Sequence, residues 1–341
     1  MPIAFTICSN NYLAKAKVAA DTFMAIHPHF EFYIFLVDEF NKEIDYNSFL
    51  PAKIVEIKDV VLSINELAKK YNIIELNTAV KPSIFIHLFE KYKSDYIIYL
   101  DPDVMVYDKF IEIEKLLVEE KYNIIITPHF CSPIDDGKIP SDIHFSTYGL
   151  YNLGFIAIKN SAESTRFLSW WHERLMKYCY IDVANGMFTD QLWVNYAPIY
   201  FNGVYILKDL NYNVANWNLY EREIDETGDG YYIKGSGKMK FFHFSHYKFN
   251  DPYIISARQN RHTIDDVKNM KEIIDEYQSR LIKNNYEAYN KIPCHYQIIY
   301  EASQPVLPKP PGALQMLVIK AKNKTIRVAK NAFQAKDKQS K

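Results

Sequence analysis

Short apolar runs alternate along the chain with stretches in which apolar residues recur every three or four positions. The runs at 3–8, 32–37, 53–57, 96–100 and 123–126 predict strands. The stretches at 12–26, 62–70, 78–91 and 111–119 predict helices between them. That alternation predicts an α/β fold: a mostly parallel sheet with helices on both faces. Further strands are expected at 154–158, 199–207 and 239–244, and helices at 161–177 and 264–282. Asn160, with Glu163 three residues on, reads as the N-terminal capping box of the 161–177 helix. Phe167, Leu168, Trp171 and Leu175 then share one face. The segment "QPVLPKPPG", 304–312, is a Pro-rich break. The expected organisation is a main domain over 1–262, a helical segment over 263–303, and a linker and tail over 304–341.

Composition narrows the class. Apolar residues make up 48% and charged residues 24%, the balance of a soluble globular protein. From Gly312 to Lys341 eight Lys/Arg face one Asp; this +7 leaves −8 on the first 311 residues, given a net charge of −1. An acidic body argues against a nucleic-acid-binding core. Cys8, Cys131, Cys179 and Cys294 are widely spaced with no C-x-x-C, which reads as reduced thiols in a cytoplasmic protein. The start "MPIAFTICSNNYLA" lacks a basic leader region, and no apolar run approaches a membrane span.

One stretch carries chemistry. In "YIIYLDPDVMVYD" a buried-strand pattern runs into Asp101-Pro102-Asp103. Ligands of open α/β sheets bind beyond the carboxyl ends of strands. In an extended segment alternate side chains point the same way, so both carboxylates are expected to converge. Like charges that close repel unless a cation lies between them, and Mn²⁺ or Mg²⁺ suits oxygen ligands. A bare D-x-D also occurs on many exposed turns.

With its neighbours this stretch resembles the glycosyltransferase family 8 pattern. "MPIAFTICSNNYLAKAKVAADTFMAIHPHFEFYIFLVDEF" is similar to that family's opening, and "YLDPDVMVY" to its D-x-D strand. "YNLGFIAIKNS", "FTDQLWVNY" and "FFHFSHYKF" resemble its Asn-x-Gly strand, Asp-Gln helix and closing His motif. The resemblance covers residues 1 to about 250. It implies a GT-A (Rossmann-like) mixed sheet flanked by helices, here with a C-terminal helical extension. It implies a hexose transfer from a nucleotide sugar, UDP-hexose by expectation, to a hydroxyl of a surface glycan or lipid-linked saccharide, with retention at the anomeric carbon. Asp101, Asp103 and His243 would hold Mn²⁺ or Mg²⁺. Ile7, Ser9, Asn11 and Tyr12 would contact the nucleotide, Lys81 the diphosphate and sugar, and Lys248 a diphosphate oxygen. Asn152, Asp190 and Gln191 would surround the donor sugar, Asp190 or Gln191 lying nearest the reacting carbon.

Two departures stand out. Ser9 occupies a position where the family often carries an acidic residue, which leaves the base open. The closing motif has His246 and an early Lys248, so His246 is an alternative third ligand. Rival readings are a nucleotidyltransferase or sugar-nucleotide hydrolase, and a non-catalytic glycan-binding protein of the same fold. Against the nucleotidyltransferase, "CSNNYLAKAK" has no glycine. Trp217, in the polar stretch "NVANWNL", is a packing residue or a sugar platform. In the tail, 313–336 projects as a basic amphipathic helix. Such a helix can lie on an anionic membrane surface, dock on the domain or remain a solvated tail.

Overall fold

The apolar runs pair as their pattern requires. In the computed structural model, which describes residues 1–305, β1 (Ile3–Cys8), β2 (Glu31–Leu36), β3 (Lys53–Glu56) and β4 (Tyr96–Leu100) run parallel in the spatial order 4-1-2-3. Then come β5 (Val104–Val106), β6 (Ile124–Pro128) and β7 (Tyr151–Lys159). β7 lies antiparallel between β4 and β6, and Val204–Ile206 pairs parallel with β6 to complete seven strands. This is the mostly parallel, helix-flanked mixed sheet the sequence predicts.

Strand alternation sorts the core into two layers. Ala4, Ile34 and Ile98 face α1 (Leu13–Ile26) in one cluster. Phe5, Phe35 and Tyr99 share the other with Phe85 and Leu88 of helix Lys81–Tyr92 and with Phe167 and Trp171 of helix Ala162–Tyr178.

Several boundaries differ from expectation, each for a local reason. The N-cap of Ala162–Tyr178 is Ser161, whose hydroxyl accepts from the Ser164 amide at 3.1 Å. Asn160 instead donates to the Ser94 carbonyl at 3.1 Å. The 78–91 stretch divides into Ile73–Ala79 and Lys81–Tyr92, with Pro82 in the first turn of the second, where no amide is missed. Over 199–207 only Val204–Ile206 is strand; Ala197–Tyr200 is helical, and Gly203, at φ 69°, turns the chain between them. The 264–282 stretch opens as a short 3₁₀ turn, and its helix is Met270–Lys283.

Met1–Ser303 forms one compact unit, so residues 263–303 pack within it. Helix Met270–Lys283 buries Ile273, Ile274 and Tyr277 in the cluster that α1 occupies. At the start of helix His295–Ser303 the His295 amide donates to the Asp38 carboxylate at 2.8 Å. The amphipathic segment 313–336 lies outside the described residues.

A second, three-stranded sheet shapes the site. Phe241–His243 lies between β5 and Val214–Ala215, antiparallel to the first and parallel to the second. Its register sets His243 opposite Val104, and the Phe244 amide donates to the Asp103 carbonyl at 2.8 Å.

Candidate metal centre and its surroundings

Asp101-Pro102-Asp103 is a turn, not an extended segment: it carries the chain from the large sheet at β4 into the small one at β5. The carboxylates nonetheless converge, because the small sheet brings His243 to them. Nε2 of His243 lies 3.2 Å from Asp103 Oδ1 and 3.6 Å from Asp101 Oδ2. These three side chains each present a ligand atom within 4.8 Å of the others. His246, the alternative ligand, is exposed and outside this group.

The imidazole is held from behind. Asn213 Nδ2 donates to Thr127 Oγ1 at 3.0 Å and to Asn152 Oδ1 at 2.9 Å, which turns its Oδ1 toward His243 Nδ1, 3.2 Å away. Nδ1–H therefore donates to Asn213, which leaves Nε2 to face the carboxylates: protonated, it donates to Asp103, and deprotonated, it can ligate a metal. Asn152 Oδ1 also accepts from the Gly154 amide at 3.0 Å, and its Nδ2 lies 3.3 Å from His129 Nε2. Asn152, expected beside a sugar, thus has both ends of its amide engaged in this network. Gly154 has to be glycine because a Cβ there would overlap the His243 ring and lie 2.8 Å from Asn152 Oδ1.

Electrostatics follow from burial and pairing. Burial raises the Asp101 carboxyl, although Lys81 and His243 oppose it. Asp103 is also buried, yet the His243 charge and hydrogen bond hold it well below the ordinary carboxylate range. Burial works against protonating His243, but Asp103 and then Asp101 lift it above its ordinary value. His129, buried and without a carboxylate partner, falls to about 3.

A second line of contacts leads from the carboxylates to Asp190. Tyr99 donates its hydroxyl to Asp101 Oδ1 at 2.5 Å. The Lys81 ammonium sits 4.2 Å from the Tyr99 ring centroid, bonds the Leu153 carbonyl at 2.9 Å and pairs with Asp190 Oδ2 at 2.5 Å. Both members of this ion pair are buried, so Lys81 is engaged inside the protein. Gln191 opens a short helix with its amide nitrogen on the Tyr148 carbonyl, 2.7 Å away.

The expected nucleotide residues lie at the end of β1. Ile7 and Ser9 are buried, the Ser9 hydroxyl donating to Asn11 Oδ1 at 2.5 Å, and Tyr12 ends the following turn. Burial first, then the charges of Asp103 and Asp101, push the Tyr12 hydroxyl up to about 12. This loop is fixed by Asp38, whose carboxylate accepts from the Asn10 amide at 3.1 Å. Lys248 is exposed. Trp217 is buried with its ring edge-on to His243, centroids 5.2 Å apart, and is a packing residue, not an open platform.

Sequence reasoning did not find Asn213, His129 or Asp38. Each is a lone polar residue whose partner lies across a strand pair or in another loop. A second group, His27, His29 and Glu114, also gathers ligand atoms. There His27 packs against Phe23 and Phe110 and takes the Phe110 amide on Nε2 at 3.4 Å, a satisfied core histidine.

No protein-family model matches the chain. It is similar to the uncharacterized proteins YfnD and YfnF of Bacillus subtilis. The first is 22% identical over 251 residues, covering 70% of this chain and 76% of the relative. The second is 33% identical over 101 residues, covering 29% of this chain and 33% of the relative. Among solved structures it is similar to the galactosyltransferase LgtC in complex with donor and acceptor sugar analogs, at 16% identity and a TM-score of 0.49, over 82% of this chain and 95% of that one. It is also similar to the glycosyltransferase GlyE of Streptococcus pneumoniae TIGR4, at 12% identity and a TM-score of 0.47, over 86% of this chain and 65% of that one.

Proposed function

We propose that the protein is a metal-dependent glycosyltransferase that moves a hexose from a nucleotide sugar, a UDP-sugar by expectation, to a hydroxyl of a surface glycan or lipid-linked saccharide. The observation that carries this reading is the orientation of His243. Its Nδ1 is held by Asn213 while Nε2 meets two carboxylates from one turn. Two carboxylate oxygens and one imidazole nitrogen fit Mn²⁺ or Mg²⁺. When bound, the ion would neutralise the carboxylates and act as Lewis acid on the donor diphosphate.

The chain's own residues supply the rest. The Ser9–Tyr12 loop, fixed by Asp38, would receive the nucleoside. Asp190, held by Lys81, and Gln191 would line the sugar. As the bond from the anomeric carbon to the phosphate oxygen breaks, that oxygen keeps the electron pair. The acceptor oxygen bonds the carbon and gives up its proton, which the departing diphosphate oxygen takes. Retention remains the expectation, and the enzyme would work on the cytoplasmic side.

The test is to incubate the protein with a panel of sugar nucleotides and assay turnover with Mn²⁺, with EDTA, and with and without a saccharide acceptor. Metal-dependent transfer supports the reading. Metal-dependent release of free sugar alone favours a hydrolase. Nucleotide-sugar binding without turnover on any acceptor favours a non-catalytic binding protein.

A further inference from the structure

Four Lys/Arg side chains are buried among the described residues: Lys15, Lys81, Arg222 and Lys240. Three have counter-charges. Lys81 pairs with Asp190. Arg222 pairs with Glu221 and bonds the Tyr212 carbonyl. Lys240 pairs with Asp108 and Glu112. Lys15 differs. It is 4% exposed, yet it makes no hydrogen bond or ion pair with any described residue. Its ammonium rests 4.3 Å from the centroid of the Tyr12 ring. A buried ammonium with only an aromatic face for company is costly, because ring attraction replaces little of the lost hydration.

Its position explains why the fold retains it. Lys15 lies in the first turn of α1, directly after the Ser9–Tyr12 loop, and α1 packs on β5, which begins one residue past Asp103. Its charge reaches both Asp103, helping to hold that carboxyl down, and His243, where it opposes protonation. It pairs with neither Asp101 nor Asp103. The helix turn that carries Lys15 thus packs beside the strand that follows Asp103, and no ion pair neutralises the ammonium there.

The proposed chemistry needs a cation there. A divalent ion is offset by Asp101 and Asp103, so it does not by itself balance a diphosphate. Of the two lysines expected near the phosphates, Lys81 is locked to Asp190 and Lys248 is exposed, so neither offers a buried, unpaired ammonium as Lys15 does. We propose that Lys15 is the cationic contact for the diphosphate of the donor and of the leaving nucleoside diphosphate. This rests on the nucleotide-sugar reading above. A lysine binds such a group as a point charge with three donors, so it should add affinity for the phosphates and little for the base.

Calorimetry tests this with wild type, Lys15→Met and Lys15→Arg, titrating UDP, GDP, ADP and CDP and the matching monophosphates in the presence of Mn²⁺. For the diphosphate that wild type binds best, Lys15→Met should weaken binding about ten- to a hundredfold, the effect of losing one charge-assisted contact. The monophosphate should lose less than about threefold, and Lys15→Arg should stay within about threefold for both. Without nucleotide, Lys15→Met should melt no lower than wild type, since it removes an unpaired buried charge. Equal losses for mono- and diphosphate, or no loss, would overturn the role of Lys15 and leave the enzyme reading standing. If wild type binds no nucleoside diphosphate, both fall. Lys15→Gln serves as a second neutral variant; if neither neutral variant folds, Lys15 is structural and the proposal is overturned.

Discussion

Asn213 Oδ1 lies 3.2 Å from His243 Nδ1, and this contact decides which nitrogen of the imidazole faces Asp101 and Asp103. Asn213 is itself held at φ 53°, a left-handed conformation that asparagine tolerates better than most residues. Asn213→Ala should leave the ring free to turn and weaken Mn²⁺ binding about ten- to a hundredfold, the usual cost of losing such a partner. Isothermal titration with Mn²⁺ measures it. Unchanged affinity would mean that packing by Trp217 alone orients the ring.

The two carboxylates should respond oppositely to removal. Asp103 is bonded to His243, so Asp103→Ala leaves a buried imidazole without its partner and should cost about 1–3 kcal/mol in the metal-free protein. Asp101 is raised by burial and stands beside Asp103, so Asp101→Asn should leave metal-free stability level or higher. Both should abolish metal-induced stabilisation. Denaturant melts with EDTA and with Mn²⁺ distinguish them, and equal metal-free stabilities would remove the Asp103–His243 pairing from this account.

The pairing also predicts a pH profile. His243 is raised above its ordinary 6.5, so its contribution to stability is full below 6.5 and is lost as pH rises through the folded value. Asp103 is depressed below its ordinary 3.8, so its contribution is present above 3.8 and is lost as pH falls through the folded value. Without metal, this site should therefore stabilise the fold most between those two ordinary values. Mn²⁺ displaces the His243 proton, so its affinity should climb with pH until the imidazole is neutral. A Mn²⁺-induced rise in Tm that is flat from about pH 5 to 8 contradicts this.

Gln191 is a cleaner probe of the proposed sugar site than Asp190. Breaking the buried Asp190–Lys81 pair should cost about 3–5 kcal/mol of stability, which would obscure any kinetic effect. Gln191→Ala removes a partly buried amide and should lower kcat about a hundredfold, with nucleotide affinity little changed, if its contact is made mainly in the transition state. Equal losses in affinity and rate would assign it a structural role through Tyr148.

The tail makes a separate prediction. Truncation after Gly312 removes +7 of charge. Each basic residue near an anionic surface contributes on the order of 1 kcal/mol. The full chain should sediment with anionic liposomes at low salt and release as salt rises, whereas the truncated chain should stay in solution with its turnover on a soluble acceptor intact. Loss of fold on truncation, or unchanged sedimentation, would remove the membrane surface as a partner.

Fully buried strands were the most legible elements. Residues 3–8, broken only by Thr6, and 96–100 are apolar runs that end at a polar residue, and both match the observed strands in full. The apolar run alone places the seventh strand at 154–158. In fact it begins at Tyr151, and Asn152 and Gly154 sit inside it to make room for His243. The grouping of Asp101, Asp103 and His243 was legible because their residue types and order resemble a known pattern. Its support was not. Asn213 is one asparagine in a polar stretch, and its importance arises only when the small sheet sets Val214 beside Phe242. Lys15 reads as the polar side of an amphipathic helix, and only the packing around Tyr12 shows it to be buried.

The Asp38 carboxylate joins the Asn10 amide to the His295 amide, residues 285 positions apart in the chain. The ribosome makes Asn10 among the first residues and His295 near the end of the described chain. During synthesis Asp38, which anchors the first loop, therefore lacks its distal partner until almost the whole unit has emerged. A nascent or prematurely ended chain could already place Asp101 and Asp103 at their turn while the Asn10–Asp38–His295 link was still unfinished. If the proposed function holds, competence to take a nucleotide would arrive late in translation, after most of the sheet has formed.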